Sequence, residues 1–157
     1  MTASGRIDRA SRLIAAPPEA VYRALLNSEA LMAWLPPEGM TGRALRFEPW
    51  EGGRYRIELR YEDAPAPGGS GKTGARSDVS AGRFLRLEPD RRVVQSAVFE
   101  SADPDFAGEM ILIWSLDPVA GGTRVTINAE NVPAGISAED HAAGLASSLE
   151  NLARFLA

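Results

Sequence analysis

The last twenty residues of the ordered pattern, 137–156, hold the one long amphipathic stretch in the chain. Leu145, Leu149, Leu152 and Leu156 recur at spacings of three and four, which lines them along one face of an α-helix. Ser137 followed by Asp140 reads as a capping box at its start, with Asp where Glu is preferred. Small residues, Ala142, Ala146 and Ser148, flank the stripe. A single helix cannot bury such a face alone, so the rest of the chain must supply a layer to receive it.

What precedes it alternates with period two. In RYRIELRY, Tyr55, Ile57, Leu59 and Tyr61 fall on one face and Arg54, Arg56, Glu58 and Arg60 on the other. That is a half-buried antiparallel strand with a wet outer side. The alternation begins near residue 43, and further strands are expected at about 79–88, 91–100, 108–117 and 122–130. Pro89-Asp90, Asp103-Pro104 and Gly121-Gly122 break them into a meander. Residues 63–76, rich in Gly and Pro, read as a loop. Residues 6–15 read as an opening strand, stopped by Pro17-Pro18. A short helix over 18–27 follows, with proline in its first turn, then a second one (EALMAW) capped by Ser28 and ended by Pro36-Pro37. The expected class is α+β: one domain over 1–157, strand, two short helices, about six strands, long helix.

A chain of 157 residues buries roughly two-thirds of its unfolded surface, enough for a core with a hollow in it. Apolar residues are 45% and charged residues 24%, an ordinary globular balance. Cysteine is absent, which excludes disulfides, thiol nucleophiles and thiolate metal sites. The net charge of −4 gives no field that would gather nucleic acid. The opening MTASGRIDRAS has no apolar signal-peptide core, and the longest unbroken apolar stretch is Met110 to Trp114, far short of a membrane span. A cytoplasmic location is the expectation.

Several blocks in fixed order carry a family resemblance. AAPPEAVYRALLNSEALMAWLPPEGMTG (15–42), EGGRYRIELR (51–60), GRFLRLEPDRRVV (82–94), LDPVAGGTRVTINAENVP (116–133) and HAAGLASSLENLARFL (141–156) together resemble the homologues of the activator of the heat-shock-protein-90 ATPase. That family belongs to the START-like (SRPBCC) helix-grip superfamily, which includes polyketide cyclases and plant lipid-binding proteins. The resemblance implies an antiparallel sheet of six to seven strands wrapped around the terminal helix, with a cavity between them. It also implies tryptophan where this chain has Ala97 and Leu145, and a smaller residue where it has Trp114. The cavity is then reshaped, since large-to-small changes leave space.

The function expected from that cavity is binding of a small hydrophobic molecule (a lipid, a polyketide or an aromatic metabolite) without cofactor or metal. The expected lining is Trp34, Met40, Tyr55, Ile57, Phe84, Arg86, Ala97, Phe99, Leu112, Trp114, His141, Leu145 and Leu149. Phe47, Trp50, Tyr61 and Met110 complete the aromatic and methionine set, each readable as core or as pocket wall. Arg86 and Gln95 share parity with Phe84 and Ala97, so both are expected to point inward. A buried Arg86 needs a carboxylate, with Glu48, Glu58, Glu100 and Glu109 as candidates, or an anionic ligand.

His141 is the only histidine. It reads either as a hydrogen-bonding or acid/base group at the cavity mouth, or as a helix-start histidine that is partly exposed or bonded to a neighbouring carbonyl. Asp140 and Glu139 do not share its face, and no histidine follows at i+4 for zinc. SGKTG (70–74) lacks the leading glycine of a phosphate loop, has Pro65 and Pro67 nearby and precedes a strand, which excludes nucleotide hydrolysis. Ile111 and Ile113 lie on the outer side of their strand. They read as a homodimer contact or as two tolerated exposed residues. Two other function classes stay open: a cyclase- or dehydratase-like enzyme using His141, Tyr55, Tyr61 or Arg86 for proton transfer, and a co-chaperone or stress-response interaction protein.

Overall fold

The computed structural model describes residues 5–37, 39–61 and 77–157. The whole 63–76 loop, with its SGKTG segment, lies outside the described residues. Strand β1 (Ile7–Ile14) is followed by helices α1 (Pro18–Leu26) and α2 (Ser28–Trp34). Strands β2 (Met40–Phe47), β3 (Arg54–Tyr61), β4 (Ser77–Glu88), β5 (Arg92–Phe99), β6 (Met110–Val119) and β7 (Gly122–Glu130) come next, then helix α3 (Ala138–Phe155). A 3₁₀ turn at Pro104–Phe106 bridges β5 and β6.

All seven strands form one antiparallel sheet in the order β1-β7-β6-β5-β4-β3-β2. From β2 to β7 each strand pairs with the next in sequence, as short turns between alternating segments dictate. The two short helices carry the chain from β1 at one edge to β2 at the other. Pro17 caps α1 with Pro18 at its first position. Asn27, rather than the expected Ser28, caps α2: its Oδ1 accepts from the Ala30 amide at 2.9 Å. Ser137 caps α3 as expected, its Oγ accepting from the Asp140 amide at 3.0 Å.

The apolar faces meet in two separate clusters. In the larger, Val21 and Leu25 of α1, Leu31 and Trp34 of α2, and Leu149 and Leu152 of α3 pack on Ile14, Ile57, Phe84, Val93, Trp114, Val125 and Ile127 of the sheet. The smaller joins Ala97, Met110 and Ala129 to Val132 and Ile136, with Phe99, Phe106 and Leu112 against them. β1 turns Asp8, Ala10 and Ile14 toward α3's side of the sheet and leaves Ile7 and Leu13 in water.

Two bulges correct the sequence parity. In β4, Phe84 stands opposite Gln95 but Arg86 stands opposite Val94, so Leu85 is the extra residue. Beyond it the strand is turned over. Phe84 stays inside, Leu87 follows opposite buried Val93, and Arg86 points out, its side chain 66% exposed. Its carboxylate partner is Glu88, at 3.1 Å, which was not among the candidates. A second bulge in β2, between Ala44 and Arg46, leaves Leu45 exposed.

Candidate functional site

The helix α3 touches the sheet unevenly. Its buried residues, Ser148, Leu149 and Leu152, all lie in the C-terminal half. There Ser148 Oγ donates to the Leu35 carbonyl at 2.8 Å and Asn151 Nδ2 to the Pro36 carbonyl at 3.0 Å, tying the helix to the end of α2. The N-terminal half stands off the sheet, and beneath it lies a cavity of about 190 Å³.

Most of the expected lining residues come together here. Tyr55 and Ile57 of β3, Phe84 of β4, Ala97 and Phe99 of β5, Leu112 and Trp114 of β6, and His141 and Leu145 of α3 all line the cavity. Ala97 and Leu145, the two positions where tryptophan was expected, are both in its wall. The cavity opens into a wider mouth that shares Leu35, Ser80, Phe99, His141, Leu145 and Ser148 with it and adds Met40, Tyr61, Asp78 and Asp140.

Three expected residues are elsewhere. Arg86 is outside, for the reason given. Trp34 is fully buried in the larger cluster, its Nε1 donating to the Ala24 carbonyl at 3.0 Å and its ring edge-on to Trp114, with centroids 5.7 Å apart. Leu149 is 2% exposed and lies one turn past Leu145, where the helix has closed on the sheet. Trp50, at 58% exposure, belongs to the β2–β3 turn and not to the apolar set. Ile111 and Ile113 do face outward beside Val94 and are half-buried.

The polar groups of the inner cavity are few. Gln95 does point inward: its Oε1 accepts from Trp114 Nε1 at 3.1 Å. The Tyr55 hydroxyl donates to the Ser96 carbonyl, and burial pushes its pKa far up, so it stays a neutral donor. Gly82 makes that bond possible, because a Cβ there would collide with the Ser96 carbonyl. Tyr61 is likewise raised by burial at the mouth.

His141 lies at the mouth with its side chain 16% exposed, and its partner is a side chain, not a backbone carbonyl. Its Nδ1 lies 2.6 Å from Asp8 Oδ2, on the first strand. Arg6 closes on the same carboxylate, Nε to Oδ1 at 3.1 Å and Nη2 to Oδ2 at 2.8 Å. The Arg6 hydrogen bonds, and after them His141, hold the Asp8 carboxyl below the usual range against the cost of its burial. Sequence reasoning missed Asp8, Arg6, Ser80, Leu25, Leu31 and Leu35. An Asp and an Ala at alternate positions of β1, among arginines, carry no periodic signal of an inward face. Of the early helices only Trp34 was expected in the lining, and it lies in the core.

Among the described residues no helix is long and apolar enough to cross a membrane. Residues 15–157 match the family described as "Activator of Hsp90 ATPase homolog 1-like protein". A crystal structure from Chromobacterium violaceum is 32% identical, covers 96% of both chains and superposes with a TM-score of 0.85. One from Rhodobacter sphaeroides is 24% identical with a TM-score of 0.77, covering 99% of this chain and 95% of that one. The solution structure of an AHSA1-like protein from Aeromonas hydrophila is 19% identical, with a TM-score of 0.71 over 96% and 91% of the two chains. No curated protein matches in sequence.

Proposed function

The chain belongs to the Activator of Hsp90 ATPase homolog 1-like family, and from that premise we propose that it binds a small, largely apolar molecule in the cavity under the N-terminal half of α3. The observation that carries this reading is the hollow itself, walled by apolar residues of both clusters. An apolar occupant would exchange water in this hollow for contact with its apolar walls.

Size and lining define the ligand class. The enclosed space is below the roughly 300–1,000 Å³ of drug-sized sites. It suits an aromatic ring or short lipid segment, with any larger part in the mouth. Tyr55, Ile57, Phe84, Ala97, Phe99, Leu112, Trp114 and Leu145 would hold the apolar body, with Met40 and His141 at the entrance. A cyclase- or dehydratase-like reaction would need two titratable groups facing one reacting atom. Among the described residues of the inner wall these are His141 and Tyr55, and the Tyr55 hydroxyl is already given to Ser96. Binding therefore has more support than catalysis.

Native mass spectrometry of the purified protein, followed by organic extraction, tests the reading. A co-purifying apolar molecule at about one per chain is expected, and the same spectra report whether the chain pairs. An empty protein that shows no thermal shift across lipids and aromatic metabolites would overturn it.

A further inference from the structure

The family match begins at residue 15, so it does not reach Arg6 and Asp8 of the cluster around His141. The chemistry of that cluster is constrained. Asp8, held below the ordinary carboxylate range by Arg6, is an anion at neutral pH and can only accept. At a 2.6 Å separation the proton must therefore be on His141 Nδ1. In the neutral ring Nε2 then keeps its lone pair. Nε2 has no hydrogen-bond partner among the described residues, and the ring lines both cavity and mouth.

We propose that the occupant is a neutral hydroxylated molecule, a phenol, enol or alcohol on a small apolar body, whose O–H donates to Nε2 of His141. This rests on the ligand-binding reading above. It narrows that reading by charge. No Lys or Arg is among the described residues that line the cavity or its mouth. Arg6 spends two donors on Asp8, and the mouth adds Asp78 and Asp140. A carboxylate ligand would enter an apolar space without a fixed counter-charge, at a cost of several kcal/mol. A molecule without a donor would offer Nε2 nothing in exchange for the water it displaces. Asp8 is a positioning residue: it fixes the tautomer and the ring plane, as carboxylates behind ligating imidazoles do.

Because His141 is the only histidine, ¹⁵N-histidine labelling gives the spectrum of one side chain. The probes are 4-pentylphenol, its methyl ether 4-pentylanisole, 4-pentylbenzoate, 4-pentylbenzylamine and pentylbenzene, at pH 8, above the ordinary imidazole range. The expected result is the Nδ1–H tautomer, with an Nε2 resonance that moves on saturation with the phenol and stays on saturation with the ether. The phenol should bind about tenfold tighter than the ether or the benzoate, the worth of one hydrogen bond. His141→Phe should make phenol and ether equal while pentylbenzene affinity is kept. Asp8→Asn should move the ring toward the Nε2–H tautomer and lower phenol affinity alone. An Nε2–H tautomer in the wild-type protein, equal binding of phenol and ether, or tightest binding of the benzoate or amine would overturn the proposal while leaving the cavity reading standing. If no probe binds, pentylbenzene included, the cavity reading itself fails and the proposal with it. The wild-type spectra decide the question even if a variant does not fold.

Discussion

The two halves of α3 belong to one helix with one apolar stripe, yet they meet the sheet differently. The C-terminal half is sealed: Leu149 and Leu152 are buried, Trp34 is wedged beneath them, and two side-chain hydrogen bonds join the helix to the end of α2. The N-terminal half has Leu145 over open space, with the His141–Asp8 contact holding it to β1. The difference lies less in the helix than in what faces it. Trp34 is fully buried at one end, whereas Ala97 stands in the cavity wall at the other. A regular element can thus support stability at one end and a site at the other when the opposing residues change volume.

The comparison breaks first under truncation. Leu152→Ala in the sealed half should destabilise by about 3–4 kcal/mol, because a buried side chain leaves a void there. Leu145→Ala, whose side chain already borders one, should cost under about 1 kcal/mol. Urea unfolding of both gives the ratio, and equal losses would mean that the halves are packed alike. Asp8→Asn comes next. It weakens the charge-assisted bonds from Arg6 and His141, for about 2 kcal/mol at pH 7. Asp8's folded pKa lies below its unfolded value, so its contribution is present above pH about 4 and is lost as pH falls through the folded value. The gap to wild type should therefore close below about pH 4. A gap of the same size at pH 3 would show that Asp8 acts through packing instead of charge.

Filling the hollow sharpens the contrast from the other side. Ala97→Leu should change stability by less than about 1 kcal/mol, since space awaits it, while lowering pentylbenzene affinity by about tenfold or more. Ala24→Leu, the same change in the sealed region, should cost about 1–3 kcal/mol with affinity kept. The smallest effect on binding is expected from Arg86→Ala: no change in probe affinity, because the Arg86 side chain is 66% exposed and lies outside the cavity. A marked loss of binding there would return Arg86 to the site.

The strands, the helix order and the Ser137 cap were legible because period and capping are local. The position of Arg86 was not, because one extra residue, Leu85, reverses every side chain after it. Leu145 and Leu149 could not be told apart either. Both lie on the same stripe, and only what faces each one decides between wall and core. Asp8 was invisible for another reason: nothing near residue 8 announces a partner 133 positions away.

That separation has a kinetic meaning. Among the described strands β1 comes earliest in the chain, but its one neighbour in the sheet is β7, the latest. During synthesis it has no strand partner until β7 has emerged, and the loop that their pairing closes spans most of the described chain. Long-range closures of this kind slow folding. Arg6 and Asp8 sit at the β1 end of the chain, so the polar end of the site exists only once β1 and α3 are both in place. An emerging chain on the ribosome has no such site, and a molecule that needs His141 held in place can be captured only by a protein that has finished folding.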